Sequence, residues 1–69
     1  MPDFVASFEG HYYHSSRSIR LFDYTKEEAI RLAKRRADER RARTLYLAYM
    51  HSGKTVGYWE KRGSRWYKE

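Results

Sequence analysis

Seven Arg or Lys residues fall within the thirteen positions 31–43, RLAKRRADERRAR, against only two acids, Asp38 and Glu39. The bland chemistry of such a run is a solvated helix face, and four i,i+4 pairs support that view: Glu27–Arg31, Lys34–Asp38, Arg35–Glu39 and Glu39–Arg43. Each would steady a helix by about 0.2–0.5 kcal/mol. Two acids cannot neutralise seven bases, however, so most of the positive charge is uncompensated within the segment. Arg31, Lys34, Arg35, Arg36, Arg40 and Arg41 are therefore expected to contact an anionic partner.

The last third poses the same question with aromatic residues added. KTVGYWEKRGSRWYKE interleaves Lys and Arg with Tyr58, Trp59, Trp66 and Tyr67. Rings among cations are the ingredients of a stacking platform, where each base stacked on a ring contributes about 1–3 kcal/mol. The competing use is structural, because alternate strand residues point to opposite faces and a small core needs large rings. Lys61, Arg62 and Arg65 surround a predicted hairpin tip, which offers no interior, so they join the partner-binding set.

Catalytic chemistry finds no matching pattern. His11 and His14 in HYYH, with His51, are the imidazoles, but the chain has no Cys and no Asp/Glu constellation beside them, so no metal is expected. Ser15 and Ser16 follow His14, and adjacency in sequence is not the geometry of a nucleophile and its base. Gly53, Gly57 and Gly63 stand alone and none opens a helix, which excludes a phosphate loop. The expectation is a binding protein and not an enzyme, with no cofactor and no small-molecule substrate.

The elements that must carry these residues read as follows. Residues 4–9, FVASFE, alternate with Phe4, Ala6 and Phe8 on one side, and Gly10 ends the run. SIRLF repeats the alternation with Ile19 and Leu21 one way and Arg20 and Phe22 the other; HYYHSSR between them reads as a loop or ragged hairpin tip. Thr25 and Glu28 form the capping-box pattern T-K-E-E, predicting a helix over about 25–41 with an acidic start and a basic end. At about 100° per residue, Ala29, Ile30, Leu32, Ala33 and Ala37 share one arc, with Arg31, Lys34, Arg35 and Asp38 opposite. Arg41 lies at the border, and Arg36 and Arg40 fall inside the apolar arc, where their stems would cover a sheet edge.

TLYLAYM (44–50) predicts a strand apolar on both faces and hence internal, TVGYWE a second, RWYK a third, with turns at Gly53 and Gly63. The order is β-β-α-β-β-β. It implies an α+β fold, an antiparallel sheet of four to five strands with one helix packed on one face. Sixty-nine residues make one small domain, 1–69, near the size where every large apolar side chain is needed. The opening lacks a signal-peptide pattern and no long apolar run follows, so a cytoplasmic protein without membrane contact is expected. Charge is polarised along the chain: residues 1–28 carry three bases and five acids, residues 29–69 twelve and four. Such asymmetry aims a field at an anionic partner.

From Thr25 onward, TKEEAIRLAKRR, TLYLAYM and GKTVGYWEKRGSRWYKE resemble small phage-encoded anti-CRISPR proteins of the type I-F kind, with their Ala-faced helix followed by strands and a terminal Gly-x-x-Trp hairpin. That resemblance implies binding to the backbone subunits of the crRNA-guided surveillance complex, blocking of target DNA pairing, and recruitment of duplex DNA without sequence preference. It carries over most directly to Arg31, Lys34, Arg35, Lys61, Arg62 and Arg65. FVASFE and SIRLF, followed by a capped helix, also resemble small phage inhibitors of bacterial RNA polymerase, which grip an acidic surface of that enzyme. A plain DNA-binding module is the third reading. The expected partner is thus a host protein or ribonucleoprotein, with non-specific duplex DNA as an accessory.

Overall fold

The computed structural model describes residues 2–10 and 16–69. Strands β1 (Phe4–Gly10) and β2 (Ser16–Leu21) precede helix α1 (Lys26–Glu39), followed by β3 (Ala42–Tyr49), β4 (Thr55–Arg62) and β5 (Arg65–Lys68). All five strands join one antiparallel sheet in the order β2-β1-β3-β4-β5, and the helix packs on one face. This is the expected α+β architecture. The expected segment HYYHSSR falls mostly outside the described residues, as do His11, His14 and Ser15.

The helix begins where its cap demands. Thr25 Oγ1 accepts from the Glu28 amide at 3.2 Å, and Glu28 Oε1 accepts from the Thr25 amide at 3.0 Å. The Thr25 amide, then its hydroxyl, and more weakly the Arg31 charge, hold the Glu28 carboxyl below its ordinary range. The exit differs from the expectation by two residues. Arg40 is the C-cap and Arg41 turns left-handed at φ 54°, its amide donating to the Asp38 carbonyl at 3.0 Å. That reversal lets β3 start at Ala42, whose methyl is buried, so helix and strand follow with almost no connecting loop.

The core lies between α1 and the sheet. Phe4, Ala6 and Phe8 of β1 and Leu45 and Leu47 of β3 are buried, as alternation requires, with Leu21 and Trp59 beside them. Ala29, Ala33 and Ala37 meet them from the helix with no exposed surface. Ile30 and Leu32 flank that stripe, partly buried. As expected, β3 is internal: it is the middle strand, paired to β1 and β4. No helix among the described residues is long and apolar enough to cross a membrane.

Asp3 ties the start of the chain to two turns. Its carboxylate accepts from the Asp23 amide at 3.1 Å and meets His51 Nε2 at 3.2 Å. The Asp23 amide, then His51, lower its pKa from the ordinary 3.8. A depressed carboxyl stabilises the fold fully above its unfolded value and loses that contribution as pH falls through the folded value. Chemical denaturation of Asp3→Asn should therefore show a weaker loss of stability than the parent as pH is lowered below about 4. Leu47→Ala removes a fully buried side chain from the central strand and should cost about 2–5 kcal/mol, read as a lowered denaturation midpoint.

Candidate functional site

The Ala stripe sets the azimuth of the helix and thereby the address of every base on it. Lys34 and Asp38 lean toward the β4–β5 end: the Lys34 ammonium lies 5.6 Å from the Trp59 ring centre, and Asp38 Oδ1 accepts from Trp66 Nε1 at 3.0 Å and pairs with Lys61. Arg36 leans toward β2, lining a cleft with Ile19, Leu21 and Leu32 while pairing with Glu39 at 3.0 Å. Arg40 lies over Phe8, its guanidinium carbon 5.5 Å from the ring centre. The stems of Arg36 and Arg40 thus cover apolar surface, as the wheel implied. Arg31 and Arg35 form the outermost, exposed ridge.

Two expectations about the helix need correction. Asp38 and Lys34 do not look outward with Arg31 and Arg35; they clamp the helix to the hairpin. The ion pairs also differ from the i,i+4 set: Glu39 takes Arg36 at i,i+3, and Asp38 takes Lys61 from β4. A carboxylate on the helix flank finds a tryptophan N–H and an ammonium converging from one strand pair. Together these satisfy it better than a neighbour on its own exposed helix.

The hairpin divides its residues between the two faces of the sheet. Cross-strand pairs Trp59–Lys68 and Lys61–Trp66 face the helix, whereas Glu60–Tyr67 and Arg62–Arg65 face away. Trp59 is only 4% exposed, and its ring folds over Gly57, where an added Cβ would meet ring carbons at 2.7 and 3.0 Å. Lys34 and Lys68 hold their ammonium groups over that ring, and Lys61 lies over Trp66 at 5.0 Å. Trp59 is thus buried beneath its cations, whereas Trp66 is partly buried, with Lys61 over its ring and its Nε1 bonded to Asp38. The expectation that the hairpin tip cannot bury its bases fits Arg62, which is exposed, but not Lys61, which is partly buried, and both have ion-pair partners. Lys61 pairs with Asp38, and Arg62 pairs with Glu60 at 3.0 Å and Glu69 at 3.3 Å, which raises its pKa further.

The face away from the helix carries Tyr58 and Tyr67, 41% and 43% exposed, and also Tyr46, at 36%. Tyr46 and Tyr58 are direct cross-strand partners, and the Tyr46 hydroxyl bonds Thr55 Oγ1 at 2.7 Å. Tyr46 was missed among the aromatic residues singled out, although period-two alternation against Leu45 and Leu47 assigns it to this face. Charge on this face is balanced: Arg20, Arg62 and Arg65 are matched by Glu9, Glu60 and Glu69.

The helix side is different. Lys26, Arg31, Lys34, Arg35, Arg36, Arg40, Arg41, Arg43, Lys61 and Lys68 stand there against Glu27, Glu28, Asp38 and Glu39. Among the described residues named for each side, this one has a surplus of six bases and the other is balanced. Folding therefore converts polarity along the chain into polarity across it, and brings Lys61 to the helix bases while sending Arg62 and Arg65 to the opposite face. Arg43 and Lys68 were not placed in the partner-binding set; alternation with Trp66 assigns Lys68 to this side, whereas Arg43, at a register irregularity of β3, is placed by the cleft it lines with Asp38 and Lys61.

The described basic side chains on this side are guanidinium and ammonium groups carried on a packed helix and the strands beside it, groups that can pair with anions. Among the described residues no group of three or more His, Asp or Glu side chains is arranged to hold a metal ion. No family model, curated protein or solved structure was found to match the chain.

Gly57→Ala should displace the Trp59 ring, since the clash is with a rigid indole held between lysines. A destabilisation of about 1–3 kcal/mol with a shifted tryptophan emission is expected. Asp38→Ala should cost about 1 kcal/mol, because the pair is only partly buried, and Asp38→Asn should recover the part due to the Trp66 bond; denaturation midpoints of the two variants measure this.

Proposed function

We propose that this protein is a small inhibitor of the phage type that docks through its helix side on an anionic surface of a host nucleic-acid machine and acts by occupying it. The observation that carries this reading is the segregation of charge: a six-base surplus on the helix side and balance on the other. A potential of one sign over one face orients approach and raises the association rate with a surface of opposite sign. The arrangement also argues against catalysis, because its cations are spread along a convex helix instead of converging in a cleft around one reacting atom.

The resemblance of the TKEEAIRLAKRR helix and the terminal hairpin to type I-F anti-CRISPR proteins makes the crRNA-guided surveillance complex the first target, with loss of target DNA binding as the consequence and the host cytosol as the place of action. Bacterial RNA polymerase is the second target, on the weaker resemblance of the first two strands. A sequence-reading DNA module fits less well, since the outermost helix residues are Arg31 and Arg35, with no Asn or Gln to read base edges.

Affinity capture from host lysate, with and without nuclease, followed by mass spectrometry, separates a protein target from nucleic acid. Arg31→Glu with Arg35→Glu reverses the outermost ridge and touches none of the packed residues, so stability should change by no more than about 0.5 kcal/mol per site while capture collapses. Lys34 is left intact because it holds Trp59. Undiminished capture by the folded double variant would sink the reading.

A further inference from the structure

The sheet face turned away from α1 is crossed by rows of cross-strand partners: Ser18, Ser7, Tyr46 and Tyr58 in one, Glu9, Thr44, Glu60 and Tyr67 in the next. Among the described elements no second layer lies over it, and all three tyrosines stay exposed. We propose that this face binds a second copy of the chain, sheet against sheet, in a two-fold dimer whose helices lie on the two outer sides. Three observations select that occupant.

The first is charge. Arg20, Arg62 and Arg65 are balanced by Glu9, Glu60 and Glu69, and Arg62 is already paired with Glu60 and Glu69 within the protomer. Two copies of a +6 chain repel each other, and least when their basic helix sides lie farthest apart. Contact between the two sheets achieves that separation. An acidic partner is drawn to the helix side instead, and a basic one is repelled by the chain as a whole. A neutral face carrying both signs is self-complementary, because an isologous contact sets the same mixed residues against each other.

The second is relief. Tyrosine rings stand on β3, β4 and β5, whereas Val5, Ser7 and Ser18 of β1 and β2 are short. A two-fold axis along the middle strand, β3, turns the copy over so that its β4–β5 half covers the β1–β2 half of the first. The rings of each copy then fill the low half of the other, one contact made twice.

The third is what burial costs and how much area there is. Covering Tyr46 leaves no orphaned hydroxyl, since it already bonds Thr55 Oγ1 at 2.7 Å. Five strands of up to eight residues form the sheet. At about 4.8 Å between strands and 3.3 Å per residue, such a face projects to roughly 500 Å², to which side-chain relief adds. A specific interface takes about 600–1,000 Å² from each partner, so most of the face must be used and the dimer is expected to be weak, dissociating in the micromolar range. It carries two outward helix sides, which makes docking on a repeated anionic surface bivalent; this consequence alone rests on the docking reading above.

Sedimentation equilibrium of the intact protein, from low micromolar to about 1 mM, tests the proposal. The mass should rise from 8.4 kDa toward twice that value, more readily at raised salt, which screens the repulsion between helix sides. Amide NMR signals of Ser7, Tyr46, Tyr58 and Tyr67 should move on dilution while those of Arg31 and Arg35 stay. Tyr58→Lys puts an ammonium from each copy into the contact and removes no buried side chain, so the dilute Tm should hold while the dissociation constant rises at least about ten-fold. A parent of 8.4 kDa throughout, parent-like association of folded Tyr58→Lys, or dilution shifts that spare Tyr46 and Tyr58 would each overturn the dimer. The dilution spectra need only the parent, so they decide the matter even where the variant does not fold. A monomeric parent whose lysate capture is lost in Tyr58→Lys would give the face to a foreign protein, and one whose Tyr46 and Tyr58 signals move only with an added single-stranded oligonucleotide would make it a stacking platform; either also overturns the dimer. Failure of the docking reading shows separately, as undiminished lysate capture by Arg31→Glu with Arg35→Glu, a variant that should dimerise like the parent.

Discussion

Ala29, Ala33 and Ala37 recur every fourth residue and meet Phe4, Phe8, Leu45 and Leu47 with no surface left to solvent. With methyl groups as the only side chains on the contact line, the helix lies close to the middle of the sheet, and every longer side chain must leave along a flank or the outer ridge. Long basic residues thereby become available without any core position being spent on them. The stripe also selects the direction in which each leaves: Lys34 and Asp38 toward the hairpin, Arg36 toward β2, Arg31 and Arg35 outward.

A single helix over five strands covers only part of the sheet, and the β4–β5 end is closed instead by polar contacts. Asp38 joins the helix to Lys61 and Trp66, and Gly57 lets the Trp59 indole lie flat beneath Lys34 and Lys68. The aromatic rings of the hairpin serve as supports for cations. Charges carried on supported side chains lose less conformational freedom when a partner arrives, so more of the electrostatic attraction is retained as affinity. The opposite face, with three exposed tyrosines and matched charges, has no comparable field.

The elements were legible because their signals are local. A capping box marks the helix start through hydrogen bonds three residues apart, and alternation marks each strand through the pleat. The left-handed turn at Arg41 was not legible, since an Arg there gives none of the signal that Gly or Asn would, and the helix was read two residues too long. Among the site residues, Arg31, Arg35, Arg36 and Arg40 stand where the wheel assigned them. Lys61 and Arg62 were read together because they are neighbours in sequence, yet neighbours on a strand point to opposite faces, and one pairs with Asp38 while the other pairs with Glu60 and Glu69.

By itself the sequence determined the α+β order, the central position of β3, the small-residue face of the helix and a basic second half, because each depends on periodicity or composition within a few residues. Tertiary structure alone decided which bases share a side, that Trp59 is buried beneath cations while Trp66 bonds Asp38, and that Asp38 is shared between helix and hairpin. Those outcomes depend on residues 23 and 28 positions apart, Lys61 and Trp66 meeting Asp38. Strand register and the helix azimuth bring them together, and neither is encoded by any local spacing.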